Sequence, residues 1–299
     1  EPMVGGIYYK LLTFFSRWCG LWLFRTGAWF VATGFYLFFP RRVAGSMAFY
    51  RALWPGRSRW FYLRCAWRQF HNFTGVFLDR FLLQTGQTLH HTSEGMEHLD
   101  RLLDEGSGAI LLMSHVGNWE IAAHMLKRRR RQLPLLLYMG ARQKEQIEKL
   151  QKVDLAESGI RIIVAGASAG TPYDTVEGIQ HLKNGGLISL SGDRVWHPGQ
   201  RTVDVRFVGR RVSLPVGPHV FALLAGVPLL TFFSHRTGPR SHHVIVGEPQ
   251  WVPGGSRGAR EAAFQASAQA YADRLEAHVR RHPFDWFHFR PLWDAADDA

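Results

Sequence analysis

The chain has 299 residues, 46% of them apolar, with 36 Lys and Arg against 24 Asp and Glu and only two cysteines. That length buries a core as one large domain or two small ones, which excludes a disordered chain. Cys19 and Cys65 are too few for a disulfide scaffold or a four-ligand zinc site, so the chain reads as facing the cytosol.

The charge is unevenly placed. Of the net +12, nine charges fall before residue 79, where ten Lys or Arg face a single acid, Glu1. The same segment holds six of the eleven Trp and twelve of the twenty-one Phe. Cations mixed with aromatics suit an anionic membrane surface or a single-stranded nucleic acid, and the apolar density favours the membrane. Residues 11–39, LLTFFSRWCGLWLFRTGAWFVATGFYLFF, predict a membrane-associated helix that Pro40, Arg41 and Arg42 close on a basic flank. On one continuous helix Lys10, Arg17 and Arg25 share an arc of roughly 80°, which fits a helix lying in the interface. A shorter span over 21–39 with Arg25 snorkelling is the alternative. A cleaved signal peptide is not expected, because the run is too long and no small-residue cleavage site follows. Residues 1–57 are therefore assigned to a membrane-anchoring segment and 58–299 to the domain that follows it.

After Pro55 and Gly56, SRWFYLRCAWRQFHNFTGVFLDRFLLQTG predicts a second amphipathic helix. From Gly106 short apolar runs take over: GAILLMS, PLLLYM, IRIIVA, GLISLSG, VDVRFVG, VPLLTFF and HHVIVGE. Between and after them lie helical patterns at 119–131, 143–158, 171–184, 217–225 and 257–281. This alternation predicts an α/β fold with a largely parallel, buried sheet flanked by helices.

The most specific motif is SHVGNWE, between the buried run GAILLM and the helical WEIAAHML. On a continuous helix His115 and Glu120 would stand about 140° apart. With Gly117 relaxing the turn and Asn118 as N-cap, His115 stands at the carboxyl end of a strand and Glu120 in the first helical turn. Open α/β sheets bind ligands at that edge. A neutral imidazole there removes a hydroxyl proton while a carboxylate fixes its tautomer, and the helix's free N–H groups stabilise an oxyanion. A structural hydrogen-bonding histidine is the plainer alternative.

SHVGNWE resembles the H-x4-D/E motif of the glycerolipid acyltransferase superfamily. Its Gly-Asn-Trp-Glu form is similar to the late acyltransferases of lipid A biosynthesis, the lauroyl and myristoyl transferases. YMGARQKEQIEKL, SLSGDRVWHPG, VDVRFVGRRVSLPVGPHVFALLAGVPLLTFF and the ending HPFDWFHFRPLW resemble further blocks of that family in order and spacing. The resemblance implies His115 as general base and Glu120 as its orienting partner. It also implies a substrate-binding set of Asn118, Arg142, Asp193 and Arg194, with Tyr138 near the acceptor. Arg194 departs from the glutamine more often found there.

Competing signals are weaker. GASAG, residues 166–170, has the form of a hydrolase nucleophile elbow, and Ser168 with Asp174 or Asp193 and His282 follows a Ser, Asp, His order. KRRRR at 127–131 reads as a solvated helix end or as a contact for phosphate or an acidic protein. The pairs His90–His91 and His242–His243 point to opposite strand faces, so no metal site is expected, and no cofactor or nucleic acid.

The combined expectation is an enzyme at the bacterial inner membrane, with its catalytic domain on the cytoplasmic side. It would move a fatty acyl chain from acyl carrier protein, the implied partner, to a hydroxyl of a lipid A precursor or similar glycolipid by direct attack. Alternatives are another lipid acceptor, a serine esterase using Ser168, or a non-catalytic membrane scaffold.

Overall fold

The structure, a computed structural model, describes residues 2–129, 133–140, 161–165, 172–195, 199–290 and 293. The apolar stretch over 11–39 is two helices rather than one. Helices α1 (Pro2–Cys19) and α2 (Leu21–Phe38) meet at Gly20, whose φ of 96° is one a side chain would resist. The turn folds α2 back on α1, so that the Tyr8 hydroxyl donates to the Gly27 carbonyl at 3.2 Å. The cationic arc predicted for one continuous helix is thus broken, and among the described residues no helix is long and apolar enough to cross a membrane. Phe24 is buried, stacked on Phe81 at 4.8 Å, while Phe14, Trp18, Trp22, Phe30 and Phe38 are exposed.

Pro40 closes the apolar segment, since α2 stops at Phe38, and at the same time starts the next helix. It occupies the first turn of α3 (Pro40–Leu53), where a missing N–H costs nothing. Val43, Met47, Phe49, Tyr50 and Leu53 of α3 enter the main core. Helix α4 (Arg59–Gln84) begins as predicted, with the Ser58 hydroxyl capping the Phe61 N–H at 3.2 Å. At 26 residues it is about 39 Å long, enough to pass both the α1–α2 hairpin and the sheet.

The sheet has seven strands: β1 (His90–Glu94), β2 (Ala109–Gly117), β3 (Leu135–Gly140), β4 (Arg161–Ala165), β5 (Leu187–Ser191), β8 (Leu229–Gly238) and β9 (Ser241–Val246), ordered β1-β9-β8-β2-β5-β3-β4. It is mostly parallel, and the β8–β9 hairpin turns the β1 edge the other way. Helices α5 (Met96–Asp104) and α6 (Trp119–Arg129) cover one face through Leu99, Leu111, Ala122, Leu126 and Phe232. The other face carries Ile110, Leu112, Ile188 and Phe233. It packs on α3, α4, α8 (Gly217–Ala225) and α9 (Arg257–Arg281). The two-residue period of β2 makes this division, since Leu111 and its neighbours Ile110 and Leu112 point oppositely. Helix α7 (Pro172–Lys183) precedes β5, whereas the helix predicted over 143–158 lies outside the described residues.

The run VDVRFVG leaves the main sheet. As β6 (Thr202–Phe207) it pairs antiparallel with β7 (Arg210–Pro215), a strand not foreseen in the sequence. Val208 and Gly209 form the turn with φ of 46° and 78°, which suits a two-residue hairpin but strains a β-branched residue. Burial of its side chain and a 2.6 Å bond from its N–H to Glu276 hold Val208 there. Gln269 of α9 clamps the N–H and carbonyl of Arg206 at 2.8 and 2.9 Å, fixing the hairpin on the helix.

Candidate active site

Strands β2 and β5 are parallel neighbours, so their carboxyl ends open at the same edge of the sheet. Past Met113 the β2 ladder slips out of register. Gly117, with φ of 59°, lies so close to the Ser234 carbonyl that a Cβ would stand 1.6 Å from its oxygen. This irregularity brings His115 out of the regular pleat. The segment after α9 locks it in place, since Gly117 N–H donates to the Asp285 carbonyl and Phe287 N–H to the His115 carbonyl, each at 2.7 Å.

The carboxylate facing His115 belongs to Asp193, two residues past β5. Its Oδ1 accepts from His115 Nδ1 at 2.8 Å and its Oδ2 from the His115 backbone N–H at 2.7 Å. Ser191 Oγ adds a bond to Oδ1 at 2.9 Å, and Trp286 Nε1 one to Oδ2 at 3.0 Å. Burial pushes the Asp193 carboxyl up, but the bond from His115 and the charge of Arg194 more than offset this, holding it well below the usual carboxylate range. An ionised partner on Nδ1 keeps the proton there and leaves Nε2 as a base. The His115 side chain is 17% exposed against 1% for Asp193, so the ring is reachable and its partner is not.

Glu120, expected to orient His115, is placed otherwise, and Asp193 fills that position. The Glu120 carboxylate is gripped by Arg80 of α4 through Nε at 3.2 Å and Nη2 at 2.9 Å, in a nearly fully buried pair. In the first turn of α6 the side chain is turned toward α4, because Asn118 caps the helix directly before it. Asn118 Oδ1 accepts from Glu120 N–H and its Nδ2 donates to Asp79, both at 3.1 Å. Asn118 is 3% exposed, and its two polar ends are engaged as the cap of α6 and on Asp79. Asp79 also accepts from His242 Nε2 at 2.9 Å and from the Arg236 guanidinium.

The geometry thus joins His115 and Asp193, sets Arg194 beside them, and commits Asn118 and Glu120 to holding the start of α6. Arg142 and Ser168 lie outside the described residues. Arg129 of the KRRRR run pairs with Asp100 at the surface at 2.6 Å, and among the described residues no cluster of three or more His, Cys, Asp or Glu is spaced to hold a metal.

Asp79 and Arg80 escaped the reading of the sequence, although a charged pair inside the apolar run GVFLDRFLLQ was a signal, because buried charges need partners. Trp286 and His288 had no such local cue. Their rings stack at 5.2 Å behind Asp193, and the His288 ring meets His115 edge-on at 6.1 Å. Burial drives the His288 pKa down to about 3, so it stays neutral.

Comparison with known proteins points to one class, since both the matching family and the relatives carry acyltransferase names. Residues 83–295 match the bacterial lipid A biosynthesis acyltransferase family, and the chain belongs to it. A phosphatidylinositol mannoside acyltransferase of Mycobacterium tuberculosis is 28% identical over 200 residues, covering 67% of this chain and 58% of the relative. Its namesake from Mycolicibacterium smegmatis is 25% identical over 201 residues, covering 67% and 61%. The chain therefore spans about three-fifths of the length of these curated relatives.

Proposed function

We propose that the protein moves a fatty acyl chain from an acyl carrier protein thioester onto a hydroxyl of a glycolipid, with His115 as general base. The observation that carries this is the His115–Asp193 pair at the open sheet edge, directly before the capped start of α6. His115 Nε2 takes the acceptor's hydroxyl proton as its oxygen attacks the thioester carbonyl. Amides at the α6 N-terminus face the developing oxyanion. When the tetrahedral intermediate collapses, the C–S bond breaks and the imidazolium returns its proton to the thiolate. Asp193 holds the imidazole's tautomer throughout and stabilises its charge.

Exposed Phe14, Trp18, Trp22, Phe30 and Phe38, with Arg17 and Arg25 among them, support attachment of the α1–α2 hairpin to the cytoplasmic face of a bacterial inner membrane. A lipid A precursor is the acceptor favoured by the family. The mannoside acyltransferase relatives favour a phosphoinositide glycolipid as the second candidate.

The test is acyl transfer from acyl carrier protein and from coenzyme A to lipid A precursors, phosphatidylinositol mannosides and lysolipids, read by lipid mass spectrometry. One acceptor should gain an acyl mass in wild type and in Ser168→Ala, and none in His115→Ala. Activity that survives His115→Ala and is lost in Ser168→Ala would replace this mechanism by a serine-hydrolase one.

A further inference from the structure

A buried carboxylate with no part in the proton transfer stands behind the start of α6. Asp79 of α4 is 1% exposed and accepts from three other elements at once: Asn118 Nδ2 at 3.1 Å, His242 Nε2 at 2.9 Å and the Arg236 guanidinium. Arg236 and His242 face each other across the β8–β9 ladder, so Asp79 docks on a single rung of the sheet. Arg236 also donates to the Gly75 carbonyl, one turn earlier in α4, at 2.9 Å. Ser234, two residues before Arg236 on β8, is the strand residue whose carbonyl the Gly117 turn rests against. We infer that Asp79 is a positioning residue for acyl transfer, acting through Asn118 to aim the α6 amides at the oxyanion. This rests on the acyl-transfer reading of the His115 site and extends it to a residue too deeply buried to touch either substrate.

The Asn118 amide has two ends of opposite kind. Only with Oδ1 toward α6 does it cap the helix, which it does on the Glu120 N–H at 3.1 Å. A carboxylate carries no hydrogen, so Asp79 receives the Nδ2 end and refuses the other, which fixes the amide in its capping orientation. The first N–H groups of a helix have no partner within it, and where the cap holds the backbone decides where the neighbouring amides of Trp119 and Ile121 point. Oxyanion donors work over a few tenths of an ångström, and a displacement of about 1 Å costs roughly 10²-fold in rate. The second anchor of α6, the Arg80–Glu120 ion pair, does not choose between the two orientations of the Asn118 amide. A neutral amide at position 79 would accept either of them, whereas the buried charge, costly in itself, enforces one.

The experiment exchanges polarity across the Asp79–Asn118 bond. Asp79→Asn lets the residue at 79 present its own NH2 group and turn the cap over. Asn118→Asp sets two carboxylates against each other. In the double variant the amide at 79 donates to one oxygen of the carboxylate at 118, whose other oxygen caps α6 again, while Arg236 and His242 still lack their carboxylate. Measured are kcat and KM for acyl transfer, urea midpoints, and hydrogen exchange of the amide at 120 by NMR. Each single variant is expected to lose about 10–100-fold in kcat with KM within about twofold, and to exchange that amide about tenfold faster. The double variant is expected to regain kcat to within about fivefold of wild type and to regain slow exchange, with its urea midpoint still as low as that of Asp79→Asn. A purely structural role would not separate kcat from stability in this way. If Asp79→Asn does not fold, Asn118→Asp carries the test, because aspartate caps a helix as well as asparagine and a loss there reports the confrontation with Asp79. Folded single variants with wild-type kcat, or a double variant whose kcat follows its urea midpoint, would overturn the inference while leaving acyl transfer intact. If wild type acylates no acceptor, fast exchange at 120 in the single variants and its reversal in the double variant would uphold Asp79 as the residue that sets the start of α6 and overturn the proposed function; unchanged exchange would overturn both.

Discussion

Replacing Asp193 by Asn separates the two carboxylates that could have served His115. The amide must put its NH2 group at one of two positions. At Oδ2 it would face the His115 backbone N–H and the Trp286 indole N–H, two donors that cannot turn away. At Oδ1 it meets Ser191, whose hydroxyl rotates to accept, and His115 Nδ1, which accepts only if its proton moves to Nε2. The Asn therefore settles at Oδ1 and the base is lost by tautomer rather than by displacement. The expected fall in kcat is about 10³–10⁴-fold, the range of a general base held in the wrong tautomer. Exchanging charge-assisted for neutral hydrogen bonds in a buried site also costs about 2–3 kcal/mol of stability. The assay is single-turnover acyl transfer, beside thermal unfolding to show that Asp193→Asn is folded, with Glu120→Gln as the comparison. Glu120→Gln should stay within about tenfold of wild type, since it leaves the His115–Asp193 bond in place. If Asp193→Asn kept a tenth or more of the activity while Glu120→Gln lost a thousandfold, the assignment of the orienting role to Asp193 would be refuted.

Removing the Glu120 carboxylate altogether strands the buried Arg80 guanidinium, so Glu120→Ala should lose about 3–5 kcal/mol in urea unfolding; a loss below about 1 kcal/mol would mean that Arg80 finds water or another partner. Ala123→Leu adds volume to a closely packed core between α6 and the sheet, so it should cost about 1–3 kcal/mol in urea unfolding; an unchanged midpoint would mean that the layer under α6 is loosely packed. Acid should weaken the fold well before the carboxylates titrate. Burial lowers His219 and His235 to about 4 and His278 and His288 to about 3, with His282 and His243 adding to the depression at His235. Above the ordinary histidine value of about 6.5 neither state is protonated at these positions; below it the unfolded chain takes up protons that the native state refuses, so stability falls. At pH 5 a single such ring contributes about 2 kcal/mol to that fall, and His235 and His278, 5.2 Å apart, count for less than two independent rings because the one depresses the other. Urea midpoints measured from pH 8 to pH 5 should drop steeply below about 6.5, and a flat series would contradict the burial of these rings.

What the sequence determined by itself was local. Strand, glycine turn, asparagine cap and helix follow one another within SHVGNWE, and their short-range geometry alone sets His115 at the mouth of a sheet edge, so that position was legible without a structure. Composition likewise marked the aromatic, basic N-terminus, but the apolar count of residues 11–39 is the same for one helix as for two, and only the left-handed turn at Gly20 divides them. Glu120 is the acid of the H-x4-D/E pattern, five residues from His115. The true partner lies 78 residues away, joined to His115 by the order of strands in the sheet. Arg80 comes from 40 residues before Glu120, and Trp286 from 93 residues beyond Asp193. Hydrophobic periodicity specifies which face of each element is buried and says nothing of which element it meets. The pairing of β2 with β5, and the packing of α4 and the segment after α9 against them, decided which buried charges found each other, because in a core every such charge must be matched.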